Sequence, residues 1–255
     1  MPLKIDNVQK TFRDKRYGDN VVIKGLSAEV NEGEFVTLLG PSGCGKTTLL
    51  TMIGGFLRAD GGSITLDDKE IDGPSVERGY VFQNYALFPW MNVGRNITYS
   101  LRMQGVPKEE QEKRLQELLE MAHLVGHEGK FPIQLSGGMQ QRVAVLRALA
   151  SRPRILLLDE PLGAVDFQMR EILQSELAQL VEKAGTTVMM VTHDVSEAVF
   201  LSDRVLVMKS DGGELMADVK IDMPRPRDRV STQFKEYTND LTDLLRKSFN
   251  YNKER

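Results

Sequence analysis

Three observations predict an α/β protein with a parallel core sheet, an N-terminal antiparallel β-subdomain and an inserted α-helical subdomain. The runs Phe35 to Leu39, Ile155 to Leu158 and Thr187 to Val191 are short and apolar on both faces, as strands buried between helical layers are. Apolar residues alternate at Leu3 and Ile5, at Leu26, Ala28 and Val30, and at Ile64 and Leu66, which reads as half-buried antiparallel strands at one edge. From Pro107 the period lengthens: Leu115, Leu118, Leu119 and Ala122 fall on one helix face, with Glu and Lys on the other. The helical insert is expected over about 84–150.

At roughly 100–200 residues per domain, 255 residues suit one large domain carrying an insert. We expect that domain over 1–220, and a short C-terminal helical tail over 221–255. The tail follows the turn-rich Asp211-Gly212-Gly213 and the extended Pro224-Arg225-Pro226, and its apolar stripe is Leu241, Leu244, Leu245 and Phe249.

Composition excludes several classes. With 41% hydrophobic and 27% charged residues the bulk of the chain is not disordered. Lys plus Arg number 33 against 36 Asp plus Glu, a net charge of -3, so no global field draws the chain onto nucleic acid or an anionic bilayer. Met1 to Asp6 lacks the apolar core of a secretory signal, and no run approaches the ~18 apolar residues of a membrane span. Cys44, the single cysteine, has no partner for an intrachain disulfide. The expected compartment is a reducing cytosol, with any work at a membrane done through a partner.

Gly40-Pro41-Ser42-Gly43-Cys44-Gly45-Lys46-Thr47 fits G-x-x-x-x-G-K-[ST] between an apolar strand and the helical-looking Thr48 to Ile53. Glycines let the loop wrap so that backbone N–H groups point inward, and the helix behind it adds the positive end of its dipole. Lys46 would reach the β- and γ-phosphates of a nucleotide and the Thr47 hydroxyl would ligate Mg²⁺. Cys44 sits at a variable position with no assignable base, which argues against a nucleophile. A second strand ends in Ile155 to Glu160, delivering two acids at its carboxyl end. Asp159 suits the Mg²⁺ shell and Glu160 the attacking water, because phosphoryl transfer is mostly positioning plus charge neutralisation. Read alone, the pair would be a strand cap with two solvated acids.

Ser136-Gly137-Gly138 stands 23 residues before Asp159 (159 minus 136) and opens a run with Met139, Val143, Leu146 and Ala150 at helical spacing. A hydroxyl and two glycines at a helix N-terminus make a second anion site, and one nucleotide does not need two cradles. The plain alternative is a Ser N-cap followed by flexible glycines.

Taken together these residues resemble the nucleotide-binding subunit of an ABC transporter, and the likeness covers nearly the whole chain. It implies a P-loop NTPase fold of the ABC ATPase type, with ATP and Mg²⁺ as cofactors and hydrolysis of ATP to ADP and phosphate as the reaction. Gly40 to Thr47 resembles the Walker A loop and, with Thr48, implies the ATP-binding set. Leu158-Asp159-Glu160 resembles the end of Walker B. Leu135 to Gln141 resembles the signature motif, which implies that Leu135, Ser136, Gly137, Gly138 and Gln140 meet the partner's ATP. Gln83 resembles the Q-loop glutamine that senses Mg²⁺ and the attacking water, Asp166 the D-loop acid, and His193 the switch histidine at the γ-phosphate. Phe12 resembles the aromatic that stacks on adenine, with Tyr17 as an alternative in a long loop.

The family's two subunits pack head to tail, so the likeness implies a second nucleotide-binding subunit, as a homodimer, sandwiching ATP between Lys46 of one chain and Ser136 of the other. It also implies transmembrane permease subunits, an indirect extracytoplasmic solute-binding protein, no nucleic acid, and a peripheral place on the cytoplasmic face of the membrane. The phrases Leu87-Phe88-Pro89-Trp90, Pro161-Leu162-Gly163-Ala164 and Asp222 to Arg227 resemble importer ATPases of the nitrate, sulfonate and taurine group. Val165 departs from the Leu usual in the D-loop. The aromatics around Gln83 to Trp90 lie where the family docks its membrane subunit, and they fit core packing equally well. His123 and His127 have i, i+4 metal-ligand spacing without a third ligand and read as helix-end residues. Two other functions compete: a soluble ABC-type ATPase acting on nucleic acid or ribosomes, and a small-molecule kinase, which would make no use of Ser136-Gly137-Gly138.

Overall fold

The computed structural model describes residues 3–14, 16, 18–162 and 167–250. In chain order the elements are β1 (Leu3–Asp14), β2 (Gly18–Val30), β3 (Phe35–Leu39), α1 (Lys46–Ile53), β4 (Gly61–Leu66), β5 (Lys69–Glu70) and β6 (Arg78–Val81). There follow α2 (Val93–Ile97), α3 (Tyr99–Met103), α4 (Lys108–Met121), a 3₁₀ turn at Pro132–Gln134, α5 (Gly137–Leu149), β7 (Ile155–Asp159) and α6 (Phe167–Ala184). The chain continues with β8 (Thr187–Thr192), α7 (Val195–Leu201), β9 (Arg204–Met208), β10 (Leu215–Lys220) and α8 (Thr232–Asn250). Two compact units result: Met1–Ser75 with Thr187–Arg255, and Val76–Thr186.

The first unit holds two sheets. One is antiparallel, in the order β2-β1-β4-β5, with Leu3 opposite both Val30 and Leu66. Its alternation is close to the one the sequence carries: Leu3, Ile5, Leu26, Val30, Ile64 and Leu66 are buried and Ala28 half-buried, while Lys4, Ser27 and Glu29 face out. In the other sheet β3 lies between β8 and β9 and runs parallel to both, Val36 facing Met189 on one side and Arg204 on the other. Antiparallel β10 closes its edge against β9. Every residue of β3 and of β8 is buried, which is why those segments read as continuous apolar runs.

The tail belongs to this unit. Arg227 is buried and its guanidinium donates to the carbonyls of Val199, at 2.6 Å, and Ser202, at 2.5 Å, so it serves the open C-terminal end of α7. Burial pushes its pKa down to about 10. Arg225 pairs with Asp203 at 2.5 Å, and the other oxygen of Asp203 accepts the Phe35 N–H at 2.8 Å, where β3 begins. Helix α8 then lays Phe234 and Leu241 into a cluster with Leu39, Val199, Val205 and Val207. Phe249 departs from the stripe expected of it and is 56% exposed. At 3.6 residues per turn it lies about 80° from the Leu241 direction, against about 20° for Ser248. Ser248 is the residue buried there, its carbonyl accepting from the Ser210 hydroxyl at 2.9 Å.

In the second unit β6 and β7 pair in parallel, with Tyr80 opposite Leu157. All five residues of β7 are buried. Helix α4 buries Leu118 and Leu119, the heart of the predicted face. Two five-residue helices, α2 and α3, precede it where the sequence showed no period. They are too short to display one, and α2 is held by polar groups: Asn92 accepts the Arg95 N–H at 2.9 Å as N-cap, and Asn96 is fully buried. Among the described residues no helix is long and apolar enough to cross a membrane.

Candidate functional site

In the first unit the loop Gly40 to Thr47 joins the buried β3 to α1. Gly43 and Gly45 have φ of 81° and 100°, conformations that favour glycine. A Cβ on Gly45 would press to 3.0 Å from Val22 Cγ1, so the loop is seated on β2, whereas on Gly43 it would meet nothing within 4 Å. The first turn of α1 carries no acidic residue, leaving its positive end unopposed. Lys46 is 5% exposed and its ammonium donates to the carbonyls of Gly40, at 2.8 Å, and Pro41, at 2.7 Å. It is thereby held over its own loop. Pro41 and Cys44 are buried, Thr48 is half-buried, and Ser42 and Thr47 are exposed. Burial pushes the Cys44 thiol up, against the nearby Lys46, which agrees with the sequence argument against a nucleophile. The loop fits a polyphosphate: two glycines in the left-handed region, a buried ammonium and an exposed hydroxyl for a cation.

Phe12, near the end of β1, is 43% exposed. The ammonium of Lys10 lies 5.7 Å from its ring centroid and is fixed by Asp60 at 2.8 Å, while the other Asp60 oxygen accepts the Thr11 N–H at 2.7 Å. These bonds, the Lys10 one first, hold the Asp60 carboxyl below the usual range. Sequence reasoning missed Asp60, whose partners are about fifty residues away. His193 is exposed just beyond β8. Its loop is fastened from both sides: Asp194 caps α7 by accepting the Glu197 N–H at 3.0 Å, and the Thr192 hydroxyl bonds the buried Glu197 carboxylate.

In the second unit Asp159 is buried at the end of β7 and accepts the Tyr80 hydroxyl at 3.3 Å. Glu160 follows with φ of 43°, a left-handed position uncommon for a residue with a Cβ. Its carboxylate accepts the Gln83 amide at 3.2 Å, so two residues 77 apart in sequence share one place. Among the described residues no group of three His, Cys, Asp or Glu could hold a metal by itself. A divalent ion would depend on phosphate oxygens and water for the rest of its shell, as Mg²⁺ does in phosphoryl-transfer sites.

Ser136 caps α5 by accepting the Met139 N–H at 3.3 Å, as the plain N-cap reading expects. Gly137 is open, whereas a Cβ on Gly138 would strike Leu173 of α6 at 2.6 Å. The Gln140 amide turns back to the carbonyls of Pro132 and Leu135, at 3.1 and 3.3 Å, fixing the turn in which Leu135 is buried. Asp166, Val165 and Tyr17 lie outside the described residues. Trp90 is 69% exposed and its ring packs tilted against Phe88, centroids 5.6 Å apart, whereas Tyr85 is buried, so the aromatic segment divides between surface and core.

The family model for ABC transporters matches residues 23–163. The chain belongs to the ABC transporter family. It is an ATP-binding subunit of the ABC type, an ATPase coupled to transport. It is 47% identical over 245 residues to the uncharacterized ABC transporter ATP-binding protein MJ0412 of Methanocaldococcus jannaschii, covering 96% of this chain and 91% of that one. With the spermidine/putrescine import ATP-binding protein PotA of Bacillus thuringiensis it shares 50% identity over 209 residues, 81% of this chain and 62% of PotA. With the bicarbonate transport ATP-binding protein CmpC of Synechococcus elongatus it shares 42% over 229 residues, 89% of this chain and 34% of CmpC. Among solved structures, the dimeric ABC cassette MJ0796 in a post-hydrolysis state with ADP and Pi matches with a TM-score of 0.74 and 34% identity, covering 88% of this chain and all of that one.

Replacing Phe12 by Ala is expected to raise KM for ATP about 5- to 150-fold with kcat unchanged, since a base stacked on an aromatic ring is worth about 1–3 kcal/mol. Steady-state kinetics of Phe12→Ala and Tyr17→Ala check this; a KM that moves only in the second moves the platform to Tyr17.

Proposed function

We propose that the chain is the ATP-hydrolysing subunit of an importer for a small solute, working as a homodimer that sandwiches two nucleotides and drives a membrane permease from the cytoplasmic face. The observation that carries the reading is the hydrogen bond from Gln83 to Glu160. It places an amide and a carboxylate side by side, the pair needed to orient a water and accept its proton. In this reading Lys46 and the Gly40 to Thr48 backbone bind the phosphates, Phe12 stacks on adenine, and His193 donates to the γ-phosphate. Thr47, Asp159 and Gln83 are the residues that would hold Mg²⁺. When bound, Mg²⁺ neutralises charge on the β- and γ-phosphate oxygens. Leu135, Ser136, Gly137, Gly138 and Gln140 of one chain close over the nucleotide of the other, and Asp166 lines the junction. Hydrolysis removes the γ-phosphate contacts and opens the pair, a shift set by the different affinity of the two states for ligand.

PotA and CmpC, by their names an import protein and a transport protein, support the importer reading. The anion class, nitrate, sulfonate or taurine, rests on the Leu87 to Trp90 and Asp222 to Arg227 phrases and on the likeness to CmpC. The chain isolated with its permease and solute-binding protein and placed in vesicles is expected to consume ATP in step with solute uptake. ATP turnover with no permease co-isolated from native membranes would overturn the importer reading.

A further inference from the structure

We infer that Arg147 is the positioning residue that ties the aromatic segment Tyr85 to Trp90 to the signature helix α5, so that closure at Ser136 is felt at Trp90. The inference rests on the proposed closure of Ser136 over a partner's nucleotide and adds the route by which that event leaves the site.

Arg147 lies eleven residues beyond the N-cap (147 minus 136), about 16 Å along one uninterrupted helix. Its guanidinium donates one N–H to the Ala86 carbonyl at 2.7 Å and another to the Tyr85 carbonyl at 2.8 Å. Both acceptor residues stand in the left-handed region, at φ of 45° and 58°, which residues with a Cβ adopt when something holds them there. The planar fork of arginine supplies two donors in one fixed geometry and suits two successive carbonyls. The same guanidinium lies 5.3 Å from the Phe88 ring centroid, and Phe88 in turn packs against Trp90 at 5.6 Å and Tyr99 at 4.7 Å. A second anchor works differently. Asn96 accepts the Phe88 N–H at 2.9 Å and donates to the carbonyls of Phe88, Met91 and Asn92 at 3.1, 3.0 and 3.1 Å, fixing the segment onto the start of its own helix α2. Asn96 therefore shapes the segment, and Arg147 joins its strained turn to α5. A helix transmits displacement along its axis because each turn is hydrogen-bonded to the next. A fork held at two points carries that displacement sideways into the backbone.

Trp90 is the single tryptophan of the chain, so its emission reports this segment without interference. The full chain in the Glu160→Gln background is titrated with ATP while light scattering follows dimer formation and fluorescence follows Trp90. The parent is expected to dimerise with a shift in emission. Arg147→Met is expected to bind ATP and dimerise equally, with most of the shift lost, and Arg147→Lys, which keeps the charge and much of the volume without the fork, is expected to restore only part of it. A purely structural role would lower stability in both variants without separating dimer formation from emission. No ATP-driven dimer in the parent would sink the sandwich reading and this inference with it. A parent that dimerises with Trp90 unmoved, or variants that dimerise with the full shift, would overturn the Arg147 route alone; so would an Arg147→Met chain that fails to fold beside an Arg147→Lys chain with an unaltered shift.

Discussion

The Glu160→Gln chain is expected to hydrolyse ATP roughly 10²–10⁴-fold more slowly than the parent while binding ATP as well, a barrier increase of about 2.7–5.5 kcal/mol. Glutamine has the same skeleton as glutamate, so it can occupy the φ of 43° at that position at no additional cost. Its amide can turn its oxygen toward the Gln83 amide, preserving the 3.2 Å contact and with it the placement of both side chains. What is lost is the carboxylate, the group proposed to accept a proton from water as the phosphorus–oxygen bond breaks. The proposed nucleotide contacts through Lys46 are untouched, so the closed pair should accumulate with ATP in place. Phosphate release in a single turnover, together with size-exclusion chromatography in ATP, measures both halves. Turnover at the parent rate would remove Glu160 from the role of base.

The fold was legible wherever burial imposes a period. Strands β3, β7 and β8 are covered on both faces and read as unbroken apolar runs; β1, β2 and β4 are covered on one and read as alternation. The cradle was legible because its chemistry is local: a glycine loop, a lysine and a helix start are adjacent in sequence. Helices α2 and α3 were not, because five residues complete little more than one turn, and the order of α2 comes from Asn92 and Asn96. The supports of the site were equally hidden. Tyr80 reaches Asp159 because parallel pairing sets β6 beside β7, and Arg147 reaches Tyr85 and Ala86 across 62 and 61 residues. Contacts of that range leave no mark on a local pattern. The Arg at position 147, on a helix face that otherwise carries Val143, Ala144 and Ala150, was the signal available. The Asp222 to Arg227 phrase, read only as a sign of kinship, has structural work of its own at the end of α7.

The Lys46→Ala chain is expected to bind ATP about 10- to 150-fold more weakly, since a charge-assisted hydrogen bond is worth about 1.5–3 kcal/mol. Truncation also strips the donor from the Gly40 and Pro41 carbonyls, so the loop loses an internal brace as well as a phosphate contact. Ser136→Glu should fold, because a carboxylate at the N-terminus of α5 is favoured by the helix dipole, yet it would set a negative charge against a partner's γ-phosphate. Each variant alone should be inactive: one pair has no lysine in either cradle, and the other has an acid over both. Mixed, they are expected to regain about one quarter of the parent rate, because half of randomly formed pairs are mixed and each of those holds one intact site. The intact site takes Lys46 from the Ser136→Glu chain and Ser136 from the Lys46→Ala chain. Recovery that rises and then falls as the ratio is varied, with its maximum near equal amounts, distinguishes sharing from contamination by parent. A mixture as inactive as its components would mean that the serine turn of one copy does not act on the nucleotide of the other, and the second anion site would need a different occupant.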